Sequence, residues 1–430
     1  MTENHLTIPI DSESKKVLAE DGLRFDLLDS TDAEAFIPWS QAITRNFLAP
    51  AEPLDKIERI RSYYGDMRVS GVWDDTAADP AVPVATFRTW PADLTVPGGG
   101  AVPAWAVSSV TVTGSHRRRG ITRAMMEGEL RTAAALGIPV AMLTVSESTI
   151  YGHFGFGPSA MARDLIIDTH RARWIGPEVS GRVQFVTQEQ LLVDGLAIVE
   201  RTRLRTPGQI QYDGILWERL LGVIGGDDGV RPLRFARYDD AEGTPQGFAI
   251  FTLKEDHSDF TKHELNVHYL VTATDDAYAG VWRFLLESDL VATVKADLRP
   301  LDEPLRWMVA DYRSVHTSDV DHLWTRILDV KPALEARTYA TPGRIVIAVS
   351  DPLGFAAGTW ALDVAVDGSA TVTEVSEPAD VSMSVNELGA IYLGGVSATM
   401  LASAGCITGD AKRLDSMFRS DVMPWLSIWF

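Results

Sequence analysis

Residues 105–145 pass through a β-rich run, a tight basic turn, an amphipathic helix and a second β-rich run, and this stretch constrains the fold more than any other. Ile121, Met125, Met126, Leu130, Ala133 and Ala134 recur at helical spacing and give the helix one apolar face. Gly137 and then Pro139 shut it off, glycine serving the left-handed position past the end and proline being unable to continue. Residues 84–87 predict a short strand upstream, and Pro97-Gly98-Gly99-Gly100 predicts a loop. Strand, turn, helix, strand is the order of an α/β layer arrangement.

The chain has 430 residues, more than one hydrophobic core usually organises, so two or three domains are expected. Residues 183–301 read as a weaker copy of the first block. A β-rich run at 268–271, Gly280 and an apolar helix through Trp282, Leu285 and Leu286 follow their counterparts at an offset that maps Gly120 onto Gly280. On that offset Arg117, Arg118 and Arg119 become Ala277, Tyr278 and Ala279, and Asp275 and Asp276 add negative charge. A duplicated domain that has lost an anion site is the reading. The third block predicts a long helix over residues 319–336, β-rich runs at 344–349 and 359–364, and a helix of small residues over 387–404. Residues 1–21 are polar and read as a loose lead-in, whereas the apolar end at 423–430 predicts a docked tail.

Charge makes the basic turn conspicuous. Lys plus Arg total 39 against 59 Asp plus Glu, a formal net charge of −20, yet Arg117, Arg118, Arg119 and Arg123 crowd around Gly120. The first N–H groups of a helix lack partners and carry the positive end of its dipole. Glycine lets an anion approach the backbone, and arginines add charge-assisted hydrogen bonds. The turn therefore reads as a phosphate or pyrophosphate site rather than a solvated helix start. No Gly-Lys-Ser/Thr follows, which excludes a nucleotide-hydrolase loop, and the three spaced glycines of a dinucleotide turn are absent. The acidic field disfavours nucleic acid and anionic membranes. No run reaches the roughly 18 apolar residues of a membrane span, and residues 1–20 lack the apolar core of a signal peptide, so a cytoplasmic protein is expected.

Arg117 to Thr122, an Arg-x-x-Gly-x-small sequence, resembles the pyrophosphate signature of the GCN5-related N-acetyltransferases. Three further stretches narrow the resemblance. Ser146-Glu147-Ser148-Thr149-Ile150-Tyr151-Gly152-His153-Phe154-Gly155 follows the next strand, residues 323–337 open the third block, and the chain runs from Ser420-Asp421-Val422 to a terminal Phe430. Together these resemble the Eis (enhanced intracellular survival) N-acetyltransferases over nearly the whole chain after Gly22. The resemblance implies two fused acetyltransferase-like α/β domains, 22–175 and 176–305, of which only the first binds acetyl-CoA. It implies a sterol-carrier-protein-like α+β domain over 306–430, and a homohexamer. The backbone of Val110, Thr111 and Val112 would orient the pantetheine and thioester. Arg118, Arg119, Gly120, Ile121, Thr122 and Arg123 would hold the pyrophosphate, with Ser146 and Glu147 at the cleft edge. Acceptors would be primary amines such as aminoglycosides, polyamines or lysine side chains, which an acidic field would gather.

Tyr151 reads either as a packed aromatic or as the general acid for the departing CoA sulfur, and the resemblance implies the acid. No side chain in the sequence suits the base. The resemblance assigns that role to the terminal carboxylate, here that of Phe430, although an α-carboxyl group ordinarily titrates at about 3.3–3.7 and needs desolvation to act near neutrality. His263 and His268 are five apart and would not share a helical face, so no metal is expected. The single cysteine, Cys406, lies among small residues and reads as a buried thiol rather than a nucleophile. The competing expectation is a non-catalytic protein that binds lipid through its third block.

Overall fold

The computed structural model describes residues 4–212, 214–223 and 233–430. Twelve strands form one mixed sheet, numbered here in chain order: β1 (Arg24–Leu28), β2 (Arg68–Trp73), β3 (Ala85–Thr95), β4 (Ala101–Val112), β5 (Val140–Thr144), β6 (Gly157–Asp168), β7 (Arg182–Phe185), β8 (Arg234–Asp239), β9 (Pro245–Lys254), β10 (His263–Thr272), β11 (Val291–Arg299) and β12 (Val315–Ile327). Across the sheet the order is β1-β2-β3-β4-β5-β12-β6-β11-β10-β9-β8-β7. β2, β3 and β4 are antiparallel, the helix Ile121–Ala135 crosses over, and β5 returns parallel to β4. β8, β9 and β10, the helix Asp275–Leu286 and the parallel β11 repeat that plan. The duplication expected from the sequence is therefore a duplication of topology.

Its alignment needs correction. Gly280 does not open the second helix but lies within it, and a Cβ there would come 2.6 Å from the Tyr238 ring. The helix begins instead at Asp275, capped by Thr274.

β12 corrects a second expectation. Residues 315–327 are a strand, and only Val330–Glu335 of the expected long helix is helical. The strand lies between β5 and β6, antiparallel to both. Leu323, Trp324, Thr325, Arg326 and Ile327 are all buried, so both faces of this half of the strand are covered and no alternation marks it. The expected helix of small residues is likewise two helices, Val385–Ile391 and Ala398–Ser403, with Gly394 and Gly395 between them.

The lead-in is not loose. Ser12–Glu20 is a helix whose Leu18 is buried, and the Ser14 hydroxyl donates to the Ala124 carbonyl at 2.6 Å. On that side of the sheet it packs beside Ile121–Ala135 over Phe25, Phe87, Trp105, Leu143 and Tyr151. The opposite side buries Phe36, Trp39, Trp90, Ala106 and Met142 in a core that continues into the third block.

That block adds a five-stranded sheet, β13 (Gly343–Ser350), β14 (Gly358–Val364), β15 (Ala370–Glu374), β16 (Val381–Ser384) and β17 (Thr408–Gly409), in the order β15-β14-β13-β16-β17. Its helix Val385–Ile391 approaches β6 so closely that a Cβ on Gly157 would lie 1.9 Å from the Asn386 carbonyl oxygen. The Asn386 amide donates to the carbonyls of Gly152 and Phe156, both at 2.8 Å. The fully buried pair Arg326–Asp351 (2.8 Å) adds a third hold, because Arg326 also donates to the Phe154 carbonyl at 3.0 Å. The segment around Tyr151 is thus fixed from behind by the third block. Cys406 is exposed, contrary to expectation, because it follows the short helix Ala398–Ser403 at the surface.

Candidate active site

The site begins as a fork. β4 and β5 pair from Ala104↔Val140 to Val107↔Leu143 and then part. β4 runs on to Val112 with β3 as its neighbour, while Thr144 at the end of β5 pairs with Leu323 of β12. A register shift between Thr86 and Arg88 of β3, with Ser109 at φ 53°, marks a bulge where the strands separate. Beyond Val107 the β4 edge has no β5 partner, which leaves backbone groups facing the fork. The Thr111 hydroxyl is held by Thr86 (2.6 Å) and by the Asn46 amide (2.9 Å), whereas Val110 and Val112 pack half-buried toward the helix side. The edge offers main chain, suited to an extended ligand with amide groups.

An eight-residue connection, Thr113 to Gly120, joins β4 to the helix. His116 anchors it to Asp74 at 3.0 Å. Arg118 adopts φ 64° and Gly120 φ 75°. The first is costly for a residue with a side chain and the second suits glycine. No side chain caps the helix and its first turn holds no acidic residue, so its free N–H groups and dipole remain available to an anion. Ile121 is buried and Thr122 half-buried, while Arg117, Arg118 and Arg123 are exposed. Arg119 is committed elsewhere: its guanidinium binds the Asp21 carboxylate at 2.7 Å and the Asp21 carbonyl at 2.8 Å, tying the lead-in to the turn.

On the β5 side, Ser146 and Glu147 are exposed and Tyr151 is buried on a single helical turn, Ser148–Tyr151. Burial pushes the Tyr151 phenol above its ordinary value; the Ser146 hydroxyl works against this, and the Glu147 charge adds to it. The chain terminus arrives from the other face. Thr144 Oγ1 donates to a terminal oxygen of Phe430 at 3.1 Å, and the Phe430 ring meets Trp90 edge-on at 5.6 Å. Two residues back, His322 of β12 donates from Nε2 to the Ile428 carbonyl at 2.8 Å, with its ring 4.6 Å from that of Trp429. Burial lowers the His322 pKa to about 4, so the ring is neutral and the Nε2 proton is the one that holds the tail. The docked tail expected from the sequence is thus a strap that ends at the fork.

Residues 28–159 and 208–330 each match an acetyltransferase (GNAT) domain family, and residues 330–427 match a sterol carrier protein domain. The N-acetyltransferase Eis of Mycobacterium tuberculosis is 35% identical over 342 residues, 76% of this chain and 81% of that protein. An uncharacterized N-acetyltransferase of Streptomyces avermitilis is 35% identical over 402 residues, 90% and 94% of the two chains. The crystal structure of Eis1 from Mycobacterium abscessus superposes with a TM-score of 0.77 at 28% identity, covering 95% of this chain and all of that one. The chain belongs to the Eis family of N-acetyltransferases. It is an acetyl-CoA-dependent acyltransferase with two GNAT domains followed by a sterol carrier protein domain.

Within this Eis-family chain the second fork differs from the first. β10 and β11 pair from His263↔Val291 to Val267↔Ala296, and β10 continues to Thr272. Only Ala273 and Thr274 then precede the helix. The Thr274 hydroxyl accepts from the Ala277 N–H at 3.2 Å, and Asp275 and Asp276 occupy the first turn. Side chains occupy part of the fork. Buried Arg299 donates to the Leu270 carbonyl at 2.7 Å, binds Glu303 at 3.2 Å and lies 5.1 Å from the Trp425 ring of the strap. A cavity of about 210 Å³ beside Tyr269, Thr272 and Trp425 remains there.

The structure brings the sequence-predicted residues around one fork, except that the Arg119 side chain serves the lead-in. Thr144, His322 and Trp90 had no sequence signal, since their roles depend on contacts 286, 106 and 340 residues apart. Among the described residues no group of three or more His, Cys, Asp or Glu is placed to hold a metal, and no helix is long and apolar enough to cross a membrane.

Proposed function

We propose that the first fork transfers acetyl from acetyl-CoA to a primary amine by direct attack, with Tyr151 as general acid and the Phe430 α-carboxylate as general base. The hydrogen bond from Thr144 to the Phe430 carboxyl oxygen carries this reading, because it sets a chain-end carboxylate beside the point where β4 and β5 part. Tyr151 belongs to the core on the helix side of the sheet and Phe430 packs against the core on the other. A thioester threaded through the fork would have a proton donor on one side and an acceptor on the other. The β4 main chain from Ser108 to Val112 would hold pantetheine, and the Gly120 turn with Arg118 and Arg123 would hold pyrophosphate.

The neutral amine attacks the thioester carbonyl, forming the C–N bond. The amine proton passes to the Phe430 carboxylate. The C–S bond breaks, and Tyr151 gives its proton to the departing thiolate. A phenol raised above its ordinary value by burial stays protonated until that step. Aminoglycosides, polyamines and lysine side chains are the acceptor classes the family resemblance supplies, and a homohexamer belongs to the same proposal.

Semisynthesis that converts the Phe430 carboxylate to an amide, with every side chain retained, tests the base. Acetyl-CoA binding and thermal stability are expected to persist while turnover falls at least about 10²-fold. Full activity in the amide would remove the terminal carboxylate from the mechanism.

A further inference from the structure

The second fork has an open strand edge of its own. The Ala273 N–H donates to the Gln246 carbonyl of β9 at 2.7 Å, which fixes the direction of the peptide groups at the end of β10. Alternate residues of an antiparallel strand address the same neighbour, so Val271 and Ala273 face β9 while Leu270 and Thr272 turn to the fork. The Leu270 carbonyl agrees, because Arg299 reaches it from that side at 2.7 Å. The β10–β11 ladder ends at Val267↔Ala296, so among the described residues the Thr272 N–H and carbonyl have no backbone partner. A free donor and a free acceptor on one strand edge suit an amide group.

The cavity of about 210 Å³ lies against this edge, with Val199, Val271, Pro300, Met423 and Trp425 as its apolar walls. Its buried polar side chains are already engaged. Glu303 accepts from Arg299 at 3.2 Å and from the Tyr278 hydroxyl at 2.6 Å, and the Tyr269 hydroxyl lies 2.6 Å from that of Tyr212. Arg299 and Glu303 offset each other's charge, and Asp302, the other acid on the lining, is exposed. Nothing buried there calls for a charged ligand, and the capped helix start beyond Thr272 does not suit a phosphate. Size sets the last limit: a cavity of about 150 Å³ holds benzene, so this one has room for about eight heavy atoms.

We infer that the second fork binds a small uncharged secondary amide, with the Thr272 peptide on the amide and an alkyl group against Val199 and Trp425. N-acetylated amines, the products of an N-acetyltransferase, have this chemistry. A pantetheine arm shares the amide group but is too long to be enclosed. The site is separate from the acetyl-CoA fork and does not depend on the acid–base roles given above.

Ligand-observed NMR titrations of the full chain loaded with CoA test it, with N-butylacetamide, butyl acetate and pantetheine as probes. N-butylacetamide is expected to bind about three- to tenfold tighter than butyl acetate, which has the same shape without the N–H. Thr272→Pro removes the fork-facing N–H, spares the β9 ladder and should weaken N-butylacetamide by about three- to tenfold. Val199→Phe fills the cavity and should weaken it by about tenfold or more. Retained acetyl-CoA affinity shows that each variant is folded. Should the Phe variant not fold, Val199→Ile, larger by one methylene, is expected to weaken N-butylacetamide about threefold. Equal affinity for the amide and the ester, or N-butylacetamide affinity unchanged when the cavity is filled, would overturn the proposal. Cavity-dependent binding of pantetheine without that of N-butylacetamide would overturn the assignment to N-acetylated amines.

Discussion

The two GNAT repeats share strand order, a crossover helix, a parallel closing strand and a fork, and they differ in the connection that follows the fork. In the first, residues 113–120 bring an uncapped helix start and exposed arginines to the open edge of β4. In the second, two residues make the connection, Thr274 caps the helix, two aspartates sit on its first turn, and Arg299 with Trp425 reaches into the fork. A fork is therefore a property of the topology, whereas an anion site is a property of the connection that follows it. A helix start whose donors are already capped and whose first turn is acidic has little left to offer a phosphate.

The largest expected effect comes from making the first repeat like the second. Replacing residues 113–120 by an Ala-Thr pair should weaken acetyl-CoA binding by about 10³-fold or more in calorimetric titration, since it removes the turn and its arginines together. Next comes the chemistry. Tyr151→Phe keeps the ring and should lower kcat by about 10²-fold with little change in melting temperature. A buried tyrosine on the crossover helix of the second repeat serves as the control: Tyr278→Phe removes a 2.6 Å hydrogen bond to Glu303 and should leave kcat alone while costing about 1–3 kcal/mol in denaturant unfolding. Loss of activity there, or a purely structural effect of Tyr151→Phe, would break the contrast.

Smaller effects divide the arginines. Arg118→Ala removes an exposed, uncommitted guanidinium from the turn and should weaken acetyl-CoA about tenfold. Arg119→Ala should change affinity less than about threefold, because its guanidinium is spent on Asp21. Its cost should appear as a looser lead-in, about 0.5–1 kcal/mol at this surface pair, read by protection of the helix Ser12–Glu20 from hydrogen exchange.

The first repeat was legible because its signals are local. The Gly137–Pro139 stop, the face from Ile121 to Ala133 and the arginines around Gly120 all lie within one strand–helix unit. β12 was not, because its neighbours β5 and β6 are more than a hundred residues away and burial on both faces erases period-two alternation. The lead-in looked loose because its anchors, Ser14, Leu18 and Asp21, are isolated among charged residues, and their partners lie on the helix Ile121–Ala135 and its turn. The second repeat was recognisable from its apolar pattern, but mapping Gly120 onto Gly280 could not show that the connection had shortened and the helix start had moved to Asp275. The apolar tail announced docking, yet only the fold shows that it passes the second fork at Trp425 before it ends at the first beside Thr144.

Calorimetric titration of acetyl-CoA into the full chain tests the difference between the repeats most directly. A stoichiometry of one per chain, lost when residues 113–120 are shortened, is the predicted result. Two per chain, or one that survives the shortening, would show that the second fork accepts the cofactor despite Arg299 and would contradict the account.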